Sequence, residues 1–103
     1  MKRYTLNIND AALDDIQEIT DWYDDQSEGL GGRFQDQLDL QFDKLKNNPN
    51  SYRKRYADVH CMNVKKFPFL IHFTIDEPNL AIIVFAVIHT SRNPKIWEQK
   101  RKQ

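Results

Sequence analysis

Two side chains that could do chemistry stand where a long apolar run gives way to polar residues: His89 and Arg92, in the segment His89-Thr90-Ser91-Arg92-Asn93-Pro94. An imidazole titrates near neutral pH and so can move a proton, and a guanidinium three residues on can clamp a phosphate. The plainer alternatives are an imidazole that caps backbone groups at a strand end and an arginine paired with a carboxylate such as Glu98. Arg53, Lys54 and Arg55 interleave with Tyr52 and Tyr56. That mixture either grips a nucleic-acid backbone while an aromatic ring stacks a base, or forms a solvated loop. Lys65 and Lys66 are an anion contact or a solvated pair. His60 and His72 fall on expected strands and are read as facing outward. The carboxylates crowding residues 10–28 read as a solvated run. No glycine loop of the phosphate-cradling kind, no Cys/His cluster with metal spacing and no serine–histidine–acid arrangement is present, so neither metal nor cofactor is expected.

The elements that must position these groups follow from periodicity. Phe67, Phe69, Ile71, Phe73 and Ile75 occupy every second residue, which predicts a strand with one face committed to a core. Leu80 to Ile88 has no polar residue, as in a strand covered on both faces and interior to its sheet. Asp76-Glu77-Pro78-Asn79 joins them as a hairpin loop. Earlier, Tyr4, Leu6 and Ile8 alternate in a short strand, and Asn9 or Asp10 caps a helix bearing Ala12, Ile16, Ile19 and Tyr23 on one stripe, with Leu13 and Trp22 flanking it. Trp22 and Tyr23 are both read as core. Gly29, Gly31 and Gly32 break that helix, and a second one, from about Gly32 to Asn47, aligns Phe34, Leu38, Phe42 and Leu45 before Pro49 closes it. A further strand is expected over 59–64, and Asn93-Pro94 should open a short C-terminal helix that Trp97 pins to the body. The resulting class is α+β: an antiparallel sheet with an N-terminal helical hairpin packed on one face, in the order β-α-α-β-β-β.

At 103 residues, the chain is expected to form a single domain over 1–103. Its longest apolar run has nine residues, too short to span a membrane, and its N-terminus enters an alternating segment rather than a signal-peptide core. The single Cys61 cannot form an internal disulfide, which fits the cytoplasm. A formal net charge of zero hides a division: residues 1–51 hold five basic and eleven acidic residues, and residues 52–103 hold ten basic and four acidic. Either the basic half meets something anionic or the two halves neutralise each other.

Short pieces spread in order along the chain carry a resemblance: Ala11, Asp14 and Trp22-Tyr23; Leu30-Gly31 with Arg33-Phe34; Asn48-Pro49; Phe67-Pro68-Phe69 with Ile71; and Ala86-Val87, His89, Arg92, Pro94 and Trp97. Together they resemble the RelE/ParE superfamily of toxins from type II toxin–antitoxin modules, in the branch labelled plasmid-stabilisation proteins. The resemblance implies a cytoplasmic growth inhibitor neutralised by a cognate antitoxin that wraps around it. Members like RelE cut messenger RNA on the ribosome without a metal, and members like ParE poison DNA gyrase. In the first case the chain is an endoribonuclease and His89 and Arg92 are its catalytic candidates. In either case Arg53, Arg55, Lys65 and Lys66 are candidates for contact with nucleic acid or target. Ribosome-dependent nucleases gain from strongly basic surfaces, whereas this chain is neutral, so the gyrase reading is preferred. A relative that binds its antitoxin without toxicity is the third reading.

Overall fold

A computed structural model describes residues 3–92; the expected C-terminal helix, Trp97 and the basic tail lie outside the described residues. The chain forms β1 (Thr5–Ile8), α1 (Asp10–Gln26), α2 (Leu30–Asn47), a 3-10 turn (Pro49–Ser51), β2 (Lys54–Tyr56), β3 (Val59–Asn63), β4 (Phe69–Asp76) and β5 (Ala81–His89). The five strands make one sheet in the order β1-β5-β4-β3-β2. Strands β2 to β5 form an antiparallel meander, and β1 joins β5 in parallel, with Ile8 opposite Val84, so the sheet is mixed. The strand absent from the sequence reading is β2. It is a short edge strand whose Lys54 and Arg55 are exposed, and charges of this kind discourage pairing with a further chain.

Local chemistry sets the helix limits. The Asn9 side chain accepts the Ala12 N–H at 2.9 Å, satisfying one donor that the first turn leaves open. Between the helices Gly29 adopts φ 85°, a left-handed value that costs glycine nothing. Gly31 lies so close to α1 that an added Cβ would stand 2.5 Å from the Thr20 carbonyl oxygen and 2.7 Å from Asp24 Oδ1. Its own N–H donates to Asp24 Oδ1 at 2.8 Å. The missing side chain therefore lets the two helices pack closely at the hairpin's closed end.

The main core lies between this hairpin and the sheet, where Phe34, Leu38, Phe42 and Leu45 of α2 and Ala12 and Tyr23 of α1 meet Ile71, Phe73, Ile82, Val84 and Val87. Every odd-numbered residue of 67–75 belongs to this side, as the alternation predicts. In β5 the alternation breaks. Val84 opposes Phe73 and Ala86 opposes His72, so Phe85 is an inserted residue. The bulge turns Val84 and Val87, three apart, toward the same helices, while Phe85 and Ile88 join Val59, Cys61 and Leu70 on the far face.

His60, His72 and Trp22 are placed differently from the sequence expectation, as is Asp15 at the cleft described below. His60 and His72 are buried rather than outward-facing. His60 stacks on Phe73 with ring centroids 5.4 Å apart and its Nδ1 meets the Tyr52 carbonyl, while His72 Nδ1 takes the Tyr56 hydroxyl at 3.0 Å on the other face. A local partner for Nδ1 offsets part of the cost of burying each ring. Trp22 is not core: it is 56% exposed, since one residue of helix turns it about 100° away from Tyr23.

Candidate functional site

The cleft is built where α1 crosses the end of β5. Strand β1 stops at Ile8, opposite Val84, so the β5 backbone beyond it has no strand partner on that side. Asp15 supplies one from α1: its Oδ2 accepts the Val87 N–H at 3.0 Å. Asp15 is buried, an exception within what the sequence suggested was a solvated acidic run. Its spacing carries the signal, since it lies three residues after Ala12 and four before Ile19, on the apolar stripe itself. This bond holds the helix that carries Glu18, Ile19 and Trp22 against the strand that ends in His89.

An open cleft of about 550 Å³ results, lined by Ile19, Trp22 and Tyr23 from α1 and by Pro68, Phe69 and His89 from the sheet, with Glu18, Ser91 and Arg92 completing it. Next to it a smaller cavity of about 290 Å³ brings Asp15, Glu18, His89 and Arg92 together. The Thr90 N–H donates to the Pro68 carbonyl at 2.9 Å and the Arg92 N–H to the His89 carbonyl at 3.0 Å, so the turn after β5 is tied to the β4 entrance and folded back on itself.

The His89 ring meets Phe69 edge-on at 5.2 Å. Its Nδ1 accepts the Ser91 N–H at 3.0 Å, with Ser91 Oγ at 2.8 Å. A nitrogen that accepts an N–H carries no proton, so the neutral ring is protonated at Nε2 and offers the cleft a donor. Base catalysis through Nε2 needs the other tautomer, which breaks the bond to Ser91.

Of the six sequence candidates, only His89 and Arg92 meet in the cleft. Lys65 and Lys66 are exposed in the turn between β3 and β4, and Lys66 lines a separate groove on the α2 side with Leu30, Arg33, Leu40 and Phe67. Arg53 and Arg55 are exposed at the opposite edge of the sheet, before and within β2, and line neither cavity. Glu18, Ile19, Trp22 and Pro68 are cleft residues that periodicity assigned elsewhere or left unremarked.

Residues 6–94 match the family described as the ParE toxin of the type II toxin–antitoxin system, parDE. The chain belongs to this family. The fold of ParE-family toxins recurs in the solved structures it resembles. A chain from the chromosomal ParDE system of P. aeruginosa superposes with a TM-score of 0.75 at 15% identity, covering 86% of this chain and 98% of that one. A mutant of the E. coli toxin RelE in its free state gives 0.71 at 14% identity over 97% and 96%. A chain of the intact E. coli RelBE toxin–antitoxin complex gives 0.66 at 15% identity over 86% and 99%. Compared with curated proteins by sequence, this member of the family has no match. No helix among the described residues is long and apolar enough to cross a membrane.

Proposed function

We propose that this ParE-family chain is a toxin held in check by a cognate antitoxin, and that it acts by gripping a protein, DNA gyrase, through the cleft between α1 and the end of β5. One observation carries the choice of a protein target: the cleft where His89 and Arg92 meet is walled by Trp22, Ile19, Pro68 and Phe69, and Glu18 shares its lining with Arg92. An exposed tryptophan in an apolar cleft with a few polar groups suits a protein anchor. A carboxylate lining the same cleft as the only cleft arginine among the described residues opposes a phosphate. The four other candidate cations, Arg53, Arg55, Lys65 and Lys66, stand outside that cleft, and the Ser91 hydrogen bond commits His89 to the donor tautomer.

The runner-up, a ribosome-dependent endoribonuclease, draws on the meeting of His89 and Arg92 in one cleft. In that reading they are the catalytic pair. Ribosomes programmed with message and incubated with the purified chain separate the two. The gyrase reading expects intact message. Cleaved message that disappears with His89→Ala or Arg92→Ala overturns it in favour of the nuclease. Growth unaffected by the chain expressed alone favours the third reading, a non-toxic antitoxin binder.

A further inference from the structure

His89 does more than end a strand, because its one unprotonated nitrogen meets two groups of the same residue. Nδ1 accepts the Ser91 N–H at 3.0 Å, and the Ser91 hydroxyl stands 2.8 Å from the same atom. Capping a backbone donor needs only the first of these contacts. With Nδ1 already an acceptor, the hydroxyl donates its proton there too, which leaves the Oγ lone pairs open. Ser91 is exposed and lines the cleft of about 550 Å³, so those lone pairs are within a ligand's reach. The arrangement is held on both sides, the ring by the edge of Phe69 and the turn by the Thr90 and Arg92 backbone bonds. A hydroxyl within hydrogen-bond reach of a fixed imidazole is the pairing that makes serine a nucleophile. Glu18 makes no ion pair among the described residues and shares the smaller cavity with His89. A carboxylate there favours the imidazolium that forms when Nδ1 takes a proton.

We infer that Ser91 is a nucleophile of this cleft, with His89 Nδ1 as its base, and that it takes the acyl group of a neutral carboxylic ester of an apolar acid. The lining chooses the substrate class. A neutral ester escapes the repulsion that Glu18 imposes on a phosphate, and its acyl chain finds the wall of Trp22, Ile19, Pro68 and Phe69. In the first step Oγ bonds to the carbonyl carbon as its proton passes to Nδ1. The Ser91 N–H, released from Nδ1, and the Arg92 guanidinium are then the donors available to the oxyanion. The bond from carbon to the leaving oxygen breaks, and the alcohol departs with the proton from Nδ1. Water, deprotonated by the same nitrogen, then attacks the acyl-serine, releases the acid and restores the hydroxyl. This activity stands apart from the toxin reading.

A fluorophosphonate probe and p-nitrophenyl esters test it on the full chain. The other two serines, Ser27 and Ser51, are exposed, and neither is bonded to an imidazole, so they report background reactivity within the same molecule. Peptide mapping is expected to find the label at Ser91 and not at these two. His89→Phe, which keeps an aromatic ring against Phe69, is expected to slow labelling about a hundredfold. The hexanoate ester is expected to release nitrophenolate faster than the acetate, with Ser91→Ala losing the release and Trp22→Ala losing the preference for the longer chain. Label shared evenly among the three serines, no label at any of them, or labelling that His89→Phe leaves as fast overturns the inference. So does nitrophenolate release that Ser91→Ala leaves unchanged, and equal release from the two esters overturns the substrate class. Growth arrest by the chain expressed alone tests the toxin reading separately, so either can fail without the other.

Discussion

Asp15 is the residue on which the cleft's geometry depends, because a single carboxylate oxygen joins α1 to β5 across 72 positions of sequence. Asp15→Ala leaves the buried Val87 N–H without that acceptor and should cost about 1–3 kcal/mol in urea denaturation. Asp15→Asn keeps an acceptor and should cost clearly less. Cys61 offers a test by pH. Burial, partly offset by the nearby Arg55, pushes its thiol up to about 11, so the folded chain holds a proton that the unfolded chain gives up sooner. Stability from this group is therefore complete below the ordinary thiol range and falls as pH rises through about 11. Between those limits a thiol reagent should label Cys61 much faster in denaturant than in buffer. At this scale the sequence is informative only in part. His89 and Arg92 could be picked out by their position at a strand end, and the cleft does unite them. Trp22 and Asp15 exchanged their expected places because a helix stripe judged by residue type sends every aromatic inward and every carboxylate outward, whereas one hydrogen bond in the core reverses that choice for Asp15.

Elements were legible wherever one face differed chemically from the other. The odd-numbered phenylalanines and isoleucines of 67–75 declare their side of the sheet, and the structure keeps them there. In β5 both faces are apolar, so nothing in the sequence marks Phe85 as the inserted residue, and the spacing of Val84 and Val87 emerges only from the pairing. The parallel docking of β1 was likewise invisible, since its partner lies more than seventy residues away. Two adjacent glycines give a contrast that belongs to the helical hairpin. Gly31→Ala must push a methyl group into the Thr20 carbonyl and the Asp24 carboxylate, at an expected cost of about 1–3 kcal/mol in overpacking. Gly32→Ala meets nothing within 4 Å and should stabilise by up to about 1 kcal/mol through helix propensity. Thermal melts of the pair should move in opposite directions. Phe73→Ala, fully buried where α2 meets the sheet, should cost about 3–5 kcal/mol.

Across the whole molecule, the division of charge that composition shows becomes a division of surfaces. The acidic half is the helical hairpin, while Arg53, Arg55, Lys65 and Lys66 stand exposed on the sheet edge and its turns. The fold alone does not choose between the gyrase and nuclease readings, so the target must be argued from the cleft, with its aromatic wall and the carboxylate and guanidinium in its lining. If that cleft grips a protein, Trp22 is its anchor, and truncating an anchor of this kind costs about 2 kcal/mol of binding, roughly thirtyfold. The direct test is supercoiling of relaxed plasmid by DNA gyrase in the presence of the chain. The account predicts that the chain blocks supercoiling and that Trp22→Ala, with its fold intact, needs a far higher concentration to do so. Supercoiling that proceeds undisturbed at saturating chain, or a block that Trp22→Ala leaves unchanged, would contradict it.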